Sequence, residues 1–232
     1  MRIVTKAVVV CAGFPAVALG IGAATAWATP QTSSAGGDVS VSVNGRVVKA
    51  SSNTSTIAAS TPTTGGAANV AIARNSSTAY AGIDNFGTAA LGSGNKAMAA
   101  NNSYAYAFGG NNNTATATTS STAYAGNGDN NTATATNYSQ AVAGYGDGNT
   151  ALATNNSVAK AFFGSGNTAN ATNNSGAGAG DGDNNTATAT NNSLAVAAYG
   201  SNNTVTAIDN SPNVRVEGQD GVTLTVINGI PQ

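Results

Sequence analysis

An 18-residue beat constrains this chain more than any other feature. Asparagine recurs at Asn95, Asn113, Asn131, Asn149, Asn167, Asn185 and Asn203, and serine keeps the same step at Ser103, Ser121, Ser139, Ser157, Ser175, Ser193 and Ser211. A strict period of this length marks stacked units, none of which buries a core alone. Between the markers lie Ala-x-Ala pairs, beginning at 71 and ending with the pair at 205, whose gaps alternate between 8 and 10 residues with one slip between 97 and 105. Alternation with period two reads as strand, and two pairs per unit read as two short strands per coil. Thirty of the 32 paired positions are alanine, with Leu91 and Val205 the exceptions, while the residues between them vary freely (Gln140, Val142, Lys160, Leu194). A position held to one small size belongs where space is fixed, and a variable one belongs outside. The expected fold is all-β: a thin, two-sided β-solenoid (β-roll) of 18-residue coils, about eight of them, with an alanine core and terminal β-hairpins.

The corners agree with this reading. Gly110, Gly128, Gly146, Gly164, Gly182 and Gly200 form one column that supplies the positive φ of a tight turn. The other corner carries Asn101, Asn137, Asn155, Asn173 and Asn191, spaced to form amide ladders from coil to coil. Such ladders matter, because an alanine methyl contributes only about 0.8 kcal/mol while each ordered residue costs about 1–2 kcal/mol. Backbone ladders, outward side-chain columns or subunit association must supply the rest.

Five segments follow. Residues 1–28 read as a secretory signal peptide, with Arg2 and Lys6 ahead of an apolar run at 7–24 and a small-x-small site at Ala26-Trp27-Ala28. The only cysteine, Cys11, would leave with it, so the expected product is secreted or in the cell envelope, without disulfides and without a stable membrane span. Residues 29–49 alternate around Asn44-Gly45 as an N-terminal β-hairpin, and 50–68 read as a Ser/Thr-rich linker with Pro62 and Gly65-Gly66. The solenoid repeats occupy 69–210, and 211–232 read as a C-terminal capping hairpin turning at Gln219-Asp220-Gly221.

Catalysis has no inventory here. The sequence contains no histidine, one cysteine and no clustered carboxylate pair, so no enzyme activity and no cofactor are expected. Eight basic against nine acidic residues give a net charge of −1, so nothing here is expected to attract nucleic acid or an anionic membrane electrostatically. Asp129, Asp147 and Asp183 share a corner column and read first as turn formers; the sharper alternative is calcium, with Asp181 and Asp183 as the candidate ligands.

Two outward faces remain. One carries threonine at Thr114, Thr116, Thr132, Thr134, Thr186, Thr188, Thr204 and Thr206, interrupted at Lys96, Met98, Leu152, Asn170 and Ile208. Threonine simply suits an exposed strand; a flat grid of methyls and hydroxyls can also order water. The other face runs Tyr80, Tyr106, Tyr124, Val142, Lys160, flanked by Tyr104, Phe108 and Phe162, and reads either as a contact surface or as a self-stacking ladder.

At residue level three families share this grammar. Asn149-Thr150-Ala151-Leu152-Ala153 with Ser157-Val158-Ala159-Lys160-Ala161 resembles the head repeats of trimeric autotransporter adhesins, although the repeat here is longer. Gly164-Ser165-Gly166-Asn167-Thr168-Ala169 looks like a curlin repeat without the regular glutamine. Gly200-Ser201-Asn202-Asn203-Thr204-Val205 is similar to the plant ice-binding β-roll, with alanine mostly replacing its inward valine. These resemblances imply, in order, adhesion with self-association or an extracellular partner, fibre formation, and ice binding. The expectation is a non-enzymatic structural and adhesive module acting through the aromatic face, with ice binding through the threonine face second and a functional-amyloid subunit third.

Overall fold

A computed structural model describes residues 39–51, 55–63, 65–83 and 92–232. The expected signal peptide at 1–28 and the Ala-x-Leu pair at 89 and 91 lie outside the described residues.

Each regular coil reads strand, corner, strand, corner. In one of them Thr132–Thr136 forms the first strand and Gln140–Gly144 the second. Coils stack in parallel and in register: Thr132 lies opposite Thr114 and Thr150, and Ala133 opposite Ala115 and Ala151. The strands assemble into one 12-stranded and one 9-stranded sheet, so the stack holds about nine coils. The paired alanines of both sheets point at each other, and those between 97 and 197 are at most 4% exposed. A one-carbon side chain at these positions lets the two sheets pack closely as a thin sandwich.

The regular beat fails at both ends, and the structure corrects the sequence reading there. The first full coil is longer: Ala71 pairs with Ala97 and Ala79 with Ala105, so 26 residues separate neighbouring rungs. The slip in alanine spacing therefore reflects an eight-residue enlargement of that coil. The stretch 50–68 is more than a linker, since Ile57–Ser60 within it pairs in parallel with Thr78–Ala81 and starts the second sheet.

Val39–Val43 and Arg46–Lys49 form an antiparallel hairpin around Asn44 and Gly45, both at positive φ (48° and 79°), which matches the twist of the flanking strands. Val39–Val43 then joins Val70–Arg74 in antiparallel fashion and closes that end of the first sheet. Its inward residues are Ser40 and Ser42, and the Ser42 hydroxyl accepts the Ser60 backbone N–H at 3.2 Å. At the other end, Val214–Glu217 and Thr223–Ile227 do not pair with each other. They continue opposite sheets in parallel, against Leu194–Ala198 and Thr204–Ile208, with Val214 and Val216 5% exposed. Residues 214–227 are thus one more coil; the terminal hairpin lies beyond it, Thr223–Ile227 with Ile230–Pro231 around Asn228-Gly229. Among the described residues no helix is long and apolar enough to cross a membrane.

Candidate functional site

Some side-chain columns build the fold, and others are left free to act. The asparagine that opens each unit is fully buried. In Asn149 the side-chain amide donates to the Gly164 carbonyl of the next coil (2.8 Å) and to Gly144 O of its own coil (3.3 Å). Its Oδ1 accepts the backbone N–H of Asn167 at 2.9 Å. The serine beat does the same work at the other corner: Ser139 Oγ accepts the Ser157 N–H at 3.1 Å and donates to Asn137 O at 3.2 Å. Among the described residues no buried side-chain nitrogen or oxygen lacks a partner. Both columns were visible in the sequence as a rhythm, but their burial was not.

The exposed corners are also ladders. Asn137 donates to Asn155, Asn155 to Asn173 and Asn173 to Asn191, each at 2.9 Å, and Asn191 donates to Asp209. In the opposite corner Asp129 Oδ1 accepts the Asn111 N–H and Asp183 Oδ1 accepts the Ser165 N–H, both at 2.7 Å. This single task, receiving one backbone N–H from the preceding coil, explains why Asn, Asp and Ser interchange in that column. Asp181 stands two residues from Asp183, at φ 51°. Among the described residues no group of three or more His, Cys, Asp or Glu is placed to hold a metal ion.

The outer face of the first sheet gathers the threonines into rows and columns. Thr114, Thr132, Thr150, Thr168, Thr186, Thr204 and Thr223 follow one another across the sheet, with Thr116 and Thr134 in the next column. Thr188, Thr206 and Thr225 continue that second column beyond Leu152 and Asn170. Seventeen of the 21 outward positions on these seven strands are threonine, and the last coil adds Thr223 and Thr225, which a hairpin reading hides.

The second sheet divides the expected aromatic stripe in two. At its N-terminal end Tyr106 stacks on Tyr124 with ring centres 4.8 Å apart and planes 7° off parallel, and Tyr80 leans on Tyr106 at 5.5 Å. Burial, followed by the neighbouring hydroxyls of Tyr124, Tyr80 and Tyr104, pushes the Tyr106 phenol up to about 12; burial also raises Tyr124. Tyr104 beside them is 48% exposed, and Phe108 is half-buried. Phe162 shares the Phe108 column but lies three coils on, beyond Gly126 and Gly144.

Phe162 instead joins a corner cluster that sequence reasoning missed. It meets Phe163 edge-on at 4.9 Å, and Phe163 meets Tyr145 at 5.0 Å. Tyr145, Phe163 and Tyr199 occupy one corner column at φ 57°, 51° and 55° and are 56%, 50% and 66% exposed. Elsewhere that column holds Gly109, Asn127 and Asp181, so its mixed composition conceals it from a search for repeated residue types. No protein-family model matches the sequence, and neither a curated protein nor a solved structure matches it.

Proposed function

We propose that this chain is an exported or surface-exposed, non-enzymatic structural and adhesive repeat protein, which contacts a second copy or an extracellular partner through its aromatic surfaces. The β-solenoid fits a structural repeat protein, with buried columns committed to stacking. One observation carries the adhesive reading: large aromatic side chains stand exposed on a left-handed backbone, at Tyr145, Phe163 and Tyr199, where glycine, asparagine or aspartate fills the same position in other coils. A bulky residue in that conformation costs roughly 1 kcal/mol and here gains little burial within the chain. Coverage by a partner would offset that cost, and exposed aromatic clusters are frequent contact surfaces.

Tyr145→Asn with Phe163→Asn tests this without disturbing the corner, because asparagine tolerates the same φ. The double variant should lose self-association in sedimentation, or adhesion to a surface that retains the parent protein. Unchanged mass and unchanged retention would end the reading.

The threonine grid supports a second reading, ice binding. Strands about 4.8 Å apart, with alternate residues about 7 Å apart, would present a flat regular lattice of methyls and hydroxyls. Purified protein should then inhibit ice recrystallisation, and Thr134→Lys should abolish the effect. Absence of thermal hysteresis in the parent protein would remove this alternative. Fibre formation of the curlin kind is weakly supported, since antiparallel hairpins close both ends of the first sheet.

A further inference from the structure

A net charge near zero conceals an uneven distribution of charge among the described residues. Four of the six described cations sit on one surface, the outer face of the first sheet at its N-terminal end. Directly opposed residues share a face, so the pairing gives the layout. One row reads Arg46, Val43, Val70, Lys96, the next Lys49, Val41, Ile72, Met98, and the third Val39, Arg74, Ala100. All four cations are exposed, and none makes an ion pair among the described residues. Met98 between them is 45% exposed. Every described carboxylate side chain belongs to residue 129 or later, along the stack from this patch.

We propose that this patch docks the protein on an anionic lipid surface. Charge complementarity selects an anionic partner, and the centre of the patch selects among anionic partners. A dissolved polyanion needs only the cations. A bilayer boundary also rewards the flat apolar middle, with Val41, Ile72 and Met98 meeting the acyl edge while the lysine and arginine heads reach phosphates. The patch is on the opposite sheet from Tyr106 and far along the stack from Phe163, so it stands apart from the adhesive surface. One patch of this kind gives reversible, salt-sensitive binding.

Vesicle sedimentation with the full chain tests it, comparing phosphatidylcholine alone with a mixture containing about one third phosphatidylglycerol. The parent protein should prefer the anionic vesicles and lose that preference as salt rises. Arg74→Gln and Lys96→Gln should each weaken the anionic preference by roughly fivefold, and Met98→Asp should weaken it further. Lys160→Gln, on the opposite sheet, should leave it unchanged. These residues point outward, so the melting curves should match the parent. Equal binding to both vesicle types, a Lys160→Gln loss as large as that of Arg74→Gln, or capture by dextran sulfate without capture by vesicles would each overturn the proposal.

Discussion

Two columns of asparagine share the same 18-residue step, the exposed one interrupted at Thr119 and ending in Asp209, and they do different physical work. Asn149 and its equivalents are buried and bond to backbone groups of the neighbouring coil, using both ends of the amide. Asn155 and its equivalents stand in the exposed corner at φ 56°, and link side chain to side chain. Removing a buried amide strands backbone donors and acceptors away from water, whereas removing an exposed one lets water replace it. The lesson is that a ladder's contribution depends on what its rungs shield.

Substitution in the buried column should break the molecule most. Asn149→Ala leaves the Asn167 N–H and the Gly164 carbonyl without their partner, and should cost about 3–5 kcal/mol in urea denaturation. A loss below 1 kcal/mol would mean that the two columns are equivalent. The glycine corner beside the buried column comes next. Gly146 has φ 150°, and a Cβ there would meet the carbonyl oxygen of Gly164, so Gly146→Ala should destabilise by about 3 kcal/mol. The exposed ladder should respond least among the three: Asn155→Gly keeps the left-handed backbone, loses the amide links, and should cost about 0.5–1 kcal/mol.

The tyrosine stack sharpens the same contrast through pH. Tyr106 ionises at about 12 in the folded chain, against an ordinary value of 10.0. The native state therefore holds this proton more tightly than the unfolded state. Its contribution is fully present below pH 10 and is lost as pH rises through about 12. Tyr106→Phe should remove the latest tyrosinate absorbance step and flatten part of the alkaline loss of stability. If the step persists in that variant, the half-buried stack is not its source.

Much of the architecture was legible because the rule was simple. Alanine at alternate positions with an 18-residue step reads as inward strands, and Thr132–Thr136 and Gln140–Gly144 are such strands. What stayed hidden lay where spacing changed. Ile57 faces Thr78 across 21 residues, Ala71 faces Ala97 across 26, and Val205 faces Leu224 across 19. A search tuned to 18 sees a linker, a slip and a hairpin there. Burial was hidden for another reason: Asn149 and Asn155 are the same residue type, and only the packing of neighbouring coils decides which is dry. The corner aromatics escaped because Tyr145 and Phe163 share their column with glycine, asparagine and aspartate. The cationic patch escaped because net charge is a sum, whereas a partner meets a local field.

Hydrogen exchange of the side-chain amides, assigned by NMR, tests the central claim most directly. The amides of Asn113, Asn131, Asn149, Asn167 and Asn185 should be protected almost as strongly as the strands, exchanging only when coils open, while those of Asn137, Asn155 and Asn173 should exchange freely. Equal, rapid exchange in both columns would contradict a stack held together from within by buried asparagine.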